Sequence, residues 1–248
     1  LSDDNFATIV RAIEEGRTVY NNIRKFLRYI FDSNTPESAA PTLYLLSGGR
    51  IPLPLTVLQI LVIDIGTDMV PALGLGAEAA EASVMQKPPR SSKERLLNRN
   101  VILVGFLWYG LLATILAVGG YFLANFLNGW PNVALAAVET RSYAEATTMM
   151  LAGVVFAQMG MVMNNRTDYE SVFKRGLFTN RYINAGLVIE VLILLAIIYI
   201  PFLNGIFNTA PISWVEWLYL ICIPFIVFGV EEIRKKIMRK KRSKRSDI

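Results

Sequence analysis

Three carboxylates interrupt stretches otherwise composed for lipid: Glu37 in FDSNTPESAAPTLYLL, and Asp64 and Asp68 in LTVLQILVIDIGTDMVPALGLG. An ionised group near a bilayer midplane costs roughly 2.5–3.5 kcal/mol on insertion scales, so three of them mark a site. The neighbouring residues say of what kind. Asn34 and Glu37 are three apart and share one helical face, while Asp64, Thr67 and Asp68 stand at i, i+3 and i+4 and form a second stripe. Carboxylate, amide and hydroxyl oxygens together are the donor set of a hard cation. Pro36 and Pro41 lack an N–H, so carbonyls upstream of them lose helical donors. Broken helices of this kind are how transporters expose backbone oxygens to an ion. Gly66 permits close approach, and Pro71 loosens the turn that follows. Gln158 and Glu190, isolated in later apolar stretches, are weaker candidate ligands that a simple helix–helix contact explains equally well. Asp32 is placed to pair with Arg28 one turn before it, and Met149, Met150, Met159, Met161 and Met163 suit packing better than a soft-metal site. Three carboxylates around one cavity cannot all stay ionised once the cation leaves, which implies proton uptake by the empty site.

The elements that must position these groups follow from composition. Of 248 residues, 53% are hydrophobic and 18% charged, and the mean hydropathy is +0.40, far from an ordinary soluble domain. There is no histidine, which excludes histidine-based triads and zinc sites, and one cysteine, Cys222, which excludes an internal disulfide. Leu1 to Lys25 is polar and helical in pattern, so no cleavable signal peptide is expected there. Six apolar segments near the length of about 20 residues needed to cross a bilayer fall at roughly 26–48, 55–75, 101–127, 144–164, 183–203 and 214–232. The first is the least apolar, because it carries Arg28, Asp32, Asn34 and Glu37.

Charge orients the spans. Lys and Arg number four in residues 1–25, five in 76–100, four in 165–181 and nine in 234–248, against one in 49–54, one in 128–143 and none in 204–213. The positive-inside rule then places both termini in the cytoplasm of a multi-pass membrane protein. Before the first span, Phe6, Ile9, Val10, Ile13, Val19, Ile23 and Leu27 recur at steps characteristic of an amphipathic helix, capped by Ser2, Asp3 or Asp4. The expected fold is therefore an all-α membrane protein of six transmembrane helices, the first extended into a cytoplasmic stalk. Its parts are the stalk (1–25), two helices carrying the cation site (26–75), a cytoplasmic loop (76–100), a four-helix support domain (101–232) and a basic tail (233–248). The short GGRIPLP link makes the first two spans antiparallel neighbours and sets their polar stripes face to face.

These residues carry a resemblance. LSDDNFATIVRAIEEGRTVYNNIRKFLRYI followed by SNTPE, then IPLPLTVLQILVIDIGTDMVPALGLGAE, MQKPPR and the terminal WVEWLYLICIPFIVFGVEEIRKKI, resemble the carboxy-terminal membrane half of a type II P-type cation-transporting ATPase, its fifth to tenth helices. The resemblance implies that Asn34 and Glu37 match fifth-helix ligands, and that Asp64, Thr67 and Asp68 match sixth-helix ligands. Calcium pumps of intracellular membranes usually have Asn where this chain has Asp64, whereas sodium/potassium pumps have Asp there. Met161 stands where sodium pumps place a further Asp, and Gln158 where reticulum calcium pumps place a Glu. The transported cation is thus expected to be Ca2+ or Na+/K+.

The phosphate-handling motifs of that family, DKTGT, TGES and GDGxNDxP, do not occur in these residues, nor does PEGL. The chain alone is expected to lack ATPase activity, and Mg-ATP would act only on cytoplasmic domains in an amino-terminal half. The expected partners are that half and the lipid bilayer, with no nucleic acid and no accessory subunit. The basic tail suits anionic headgroups. The alternative function is a catalysis-free cation-binding module, a passive channel or regulatory partner, which an upstream DKTG would exclude.

Overall fold

The structure, a computed structural model, describes residues 6–81, 84–86, 88–89, 96–97, 99–168 and 170–246, with side chains described as far as residue 240 except for Asn100. The candidate caps Ser2, Asp3 and Asp4, and much of the loop at 76–100, lie outside the described residues. Among the described residues every regular element is helical. Helix α1 spans Phe6–Leu46, 41 residues that include both Pro36 and Pro41. The expected break at these prolines is not observed. Instead the helix continues through both, and the hydroxyls of Ser33, Thr35, Ser38 and Thr42 donate to backbone carbonyls three or four residues back, at 2.7–3.1 Å. The helix stops where Gly48 and Gly49 take φ of +63° and +76°, a left-handed turn that returns N–H groups to the carbonyls of Leu45 and Tyr44.

The second apolar segment is where the helix becomes irregular. Thr56 and Gln59 form a reciprocal cap on α2 (Val57–Leu61), a wide π turn follows at Val62–Thr67, and α3 covers Met69–Gly76. Then come α4 (Arg99–Ile102), a second π segment (Leu103–Gly110) continuing into α5 (Leu111–Leu127), α6 (Arg141–Asn165), α7 (Val172–Arg175), α8 (Arg181–Tyr199), α9 (Pro201–Phe207) and α10 (Trp214–Ser246).

Among the described residues, five stretches are long and apolar enough to cross a membrane: Val57–Gly76, Leu103–Leu127, Arg141–Asn165, Arg181–Tyr199 and Trp214–Lys240. Helix α1 is long enough but does not join them, since Arg28, Asp32, Asn34 and Glu37 depress its hydropathy. The six expected spans are therefore five by length and composition. Helix α6 forms the core, with 94% of its apolar window buried against 28–39% for the other four. Small residues let the backbones meet. A Cβ added at Gly186 of α8 would fall 2.9 Å from the Pro71 nitrogen of α3, so these two helices pack backbone to backbone.

At the end of the bundle that carries the basic loops, ion pairs replace apolar packing. Arg166 grips Glu78 with Nε and Nη2 at 3.0 and 3.1 Å, and Arg175 and Asn180 donate to the same carboxylate at 2.8 and 2.9 Å. Asn22 of α1 donates to the Glu78 carbonyl at 2.7 Å, and Lys25 pairs with Glu81 at 2.9 Å. Arg28 pairs with Asp168 at 2.9 Å rather than with Asp32, because Asn165 stands between them: it accepts from Arg28 and donates to Asp32 at 2.7 Å. Burial alone would raise both acids outside the spans. The hydrogen bonds from Arg166, Arg175 and Asn180 instead hold Glu78 below the usual carboxylate range, and the charges of Arg28, Lys25 and Arg24 bring Asp168 down to about 2.

A carboxylate whose folded pKa is depressed contributes stability that is present above its unfolded value and lost as pH falls through the folded one. Detergent-solubilised protein containing this chain should therefore lose melting temperature between about pH 4 and 2 as these two carboxylates take up protons. Glu78→Gln, which strands the buried Arg166, should cost roughly 3–5 kcal/mol at neutral pH in chemical unfolding. A variant as stable as the parent would show that the clamp does not hold the bundle.

Candidate cation site

Helix α1 and the π turn place the expected ligands on facing surfaces. On α1, Tyr29, Ser33 and Glu37 recur at four-residue steps and are 0%, 0% and 5% exposed. Asn34 folds its amide back onto the Ile30 carbonyl at 2.9 Å, which leaves its side-chain oxygen for another partner. Pro36 and Pro41 leave the carbonyls of Asp32 and Glu37 without helical N–H donors. Across from them the Asp68 N–H reaches the Ile63 carbonyl five residues back, at 2.9 Å, and the Thr67 hydroxyl reaches the same carbonyl at 3.1 Å. Widening of this turn changes the expected single stripe. Thr67 and Asp68 are buried, whereas Asp64 is rotated to the exposed side.

Two subclusters result. The Glu37 carboxyl lies within hydrogen-bonding reach of Asp64, and the Asp68 carboxyl lies beside the hydroxyls of Tyr29 and Ser33, with Glu190 of α8 within electrostatic reach. Among the described residues no three acidic side chains converge in one coordination sphere. The polar atoms between the helices are short of partners. Glu37 Oε1, Asp68 Oδ1, the Tyr29 hydroxyl, both amide atoms of Gln158 and both oxygens of Glu190 are buried without a hydrogen bond. Orphaned buried oxygens of this density are what an ion and its waters would satisfy. Met149, Met150, Met161 and Met163 are buried within the apolar cluster around α6, as packing residues are.

Sequence reasoning overlooked Tyr29 and Ser33. The signal was present in the four-residue spacing that aligns both with Glu37, but hydroxyls in a helix do not stand out as carboxylates do. It also assigned Asp32 a partner by helical spacing alone, and could not foresee that Asn165, 133 residues away, would take that place.

With this geometry in view, comparison with known proteins is decisive. A family described as "Cation transporting ATPase, C-terminus" matches residues 52–237. The chain belongs to the cation-transporting ATPase family. It is similar to the sodium/potassium-transporting ATPase subunit alpha-2 of Gallus gallus and of Homo sapiens, each 32% identical over 268 residues, covering 97% of this chain and 26% of the relative. It is also similar to the calcium-transporting ATPase of Bacillus subtilis, 39% identical over 244 residues, covering 95% of this chain and 25% of the relative. The chain thus spans about a quarter of the length of these cation-transporting ATPases.

If the orphaned oxygens are ligands, a transported cation should stabilise the folded protein by mass action, by about 2.7 kcal/mol at a concentration 100 times its dissociation constant. Differential scanning fluorimetry of the full-length protein containing this chain should show that shift, and Asp68→Asn should abolish most of it. An undiminished shift in Asp68→Asn would remove Asp68 from the ligand set.

Proposed function

We propose that this chain is the transport portion of an ATP-driven cation pump, and that Asn34, Glu37, Asp64, Thr67 and Asp68 bind the transported cation between α1 and the π turn. Gln158 and Glu190 contribute from the far wall. The observation that supports the reading is that Glu37 Oε1 on α1 and Asp68 Oδ1 at the end of the π turn are both buried and unpartnered. A protein does not keep such oxygens dry without an ion or proton to meet them.

In this reading all six apolar segments span the membrane, both termini are cytoplasmic, and the amino-terminal part of α1 is a stalk beneath an amino-terminal half that supplies ATP chemistry. An unbroken helix of 41 residues, roughly 60 Å long, suits that task. Phosphorylation in the other half would tilt α1, moving the Glu37 face against Asp64 and Asp68 and changing both affinity and sidedness. Protons entering as the cation leaves would relieve the repulsion among the carboxylates and accompany the return step. The two groups of relatives differ in the ion their names specify. The higher identity to a calcium-transporting ATPase favours Ca2+, while Asp64 is the residue that the sodium/potassium-pump resemblance implies.

Transport into proteoliposomes by the full-length protein, with calcium, sodium and potassium offered separately, tests the site and the ion together. Glu37→Gln and Asp68→Asn should each abolish transport, because each removes a charged ligand while keeping its volume. Asp64→Asn should impair calcium transport less than that of a monovalent ion. Full transport by the first two variants would sink the site.

Topology has its own measurement. With Cys222 replaced, Asn132→Cys and Asn208→Cys should react with an impermeant maleimide from outside, whereas Gln86→Cys, Lys174→Cys and Ser243→Cys should react only after permeabilisation. Outside labelling of Lys174→Cys would break the six-span arrangement.

A further inference from the structure

A second acidic pair lies at the other end of the bundle, far from the clamp of basic residues. Glu216 sits in the first turn of α10 and is fully buried, 0% exposed. Its Oε2 accepts from the Ser213 N–H at 2.6 Å and from the Ser213 hydroxyl at 2.7 Å, the arrangement that starts the helix. Helix capping explains that oxygen only. Oε1 is buried and has no hydrogen-bond partner, and the carboxyl group lies within hydrogen-bonding reach of Glu145 in the second turn of α6. Glu145 is half-buried and receives a single donor, Asn128 Nδ2 at 3.1 Å. Asn128 is itself held by the Ala124 carbonyl at 2.9 Å and by the Ser142 hydroxyl at 3.3 Å, so it orients Glu145 and has little capacity left.

The donors that reach the pair go to Glu216 Oε2 and Glu145 Oε2, which leaves Glu216 Oε1 buried with none. Among the described residues no lysine or arginine pairs with either acid. Like charges at such a distance, one of them out of water, repel strongly unless something positive lies between them. Glu145 is open enough for water to complete a coordination shell.

We propose that Glu145 and Glu216 form a second cation site, separate from the transport site, which takes a divalent ion of the calcium type and ties the start of α10 to α6. Two carboxylates with water in the remaining positions give a weak site, with a dissociation constant on the order of 10⁻⁴–10⁻³ M for calcium. The pair shares no residue with the candidate transport ligands and stands whether or not the chain belongs to a working pump.

Terbium is the probe, because Trp214 and Trp217 flank Glu216 and can sensitise its luminescence. The full-length protein in detergent, carrying Glu37→Gln to disable the candidate transport site, should show saturable terbium luminescence that calcium displaces. Glu216→Gln and Glu145→Gln, each added to that background, should weaken terbium binding by about tenfold or more, the loss expected for one charged ligand. Glutamine at 216 still completes the helix cap, and Glu145→Gln leaves α10 untouched, so neither loss can be attributed to unfolding. Titrations unchanged in both variants would overturn the proposal. So would a parent that gives no terbium signal while the glutamine variants melt higher, which would indicate a pair joined by a shared proton.

Discussion

The bidentate grip of Arg166 on Glu78 fixes where the two halves of the candidate site stand. Both side chains are almost fully buried, at 1% and 3% exposure, and neither could be dry without the other. Glu78 follows α3, Arg166 ends α6, Asn180 begins α8, and Asn22 of α1 bonds the Glu78 backbone. Four helices are thereby referenced to one residue. The depth and rotation of Asp68, ten residues before Glu78, relative to Glu37 follow from that anchorage. The fixed point lies outside the lipid-level stretches, where charge is cheapest to hold, while the site it positions lies within them.

Helix α6 makes the anchorage possible. A membrane helix lined by Leu and Ile would have kept its neighbours apart, whereas Ala146, Ala152, Gly153, Ala157 and Gly160 allow close approach on every side. Its polar residues are spaced along its length for different contacts. Thr147 and Thr148 serve the end near α9, Asn164 and Asn165 meet α10 and α1, and Gln158 alone is left without a partner midway between them.

Most of this architecture was legible in the sequence, because a bilayer permits few solutions. Apolar length located the helices, and the carboxylates within them marked α1 and the second segment as the unusual ones. Local backbone detail was less legible. Pro36 and Pro41 suggested a broken first helix, yet α1 continues through both. The irregularity lies instead in the second segment, at Val62–Thr67, where the sequence offers only Gly66 as a cue. The π turn packs against α8 and α6, and tertiary fit has no local signature. The same is true of Asn165 between Arg28 and Asp32, a contact decided by helix packing rather than by helical spacing.

The continuity of α1 has a mechanical consequence. The helix is held near Arg28 by Asp168 and Asn165, near Lys25 by Glu81, and further back by bonds from Asn22 and Arg17 to the segment after α3. At 1.5 Å per residue, the arm from Arg28 to Glu37 is roughly 14 Å and the arm from Arg28 back to Phe6 roughly 33 Å. Were the helix to turn as a unit about Arg28, it would act as a reduction gear: a sideways displacement at the Phe6 end would reach Glu37 at somewhat less than half its amplitude, reversed in direction and with correspondingly greater force. A large, soft movement at one end would arrive among the carboxylates as a small, stiff one, matched to the ångström scale on which an ion's coordination shell opens or closes.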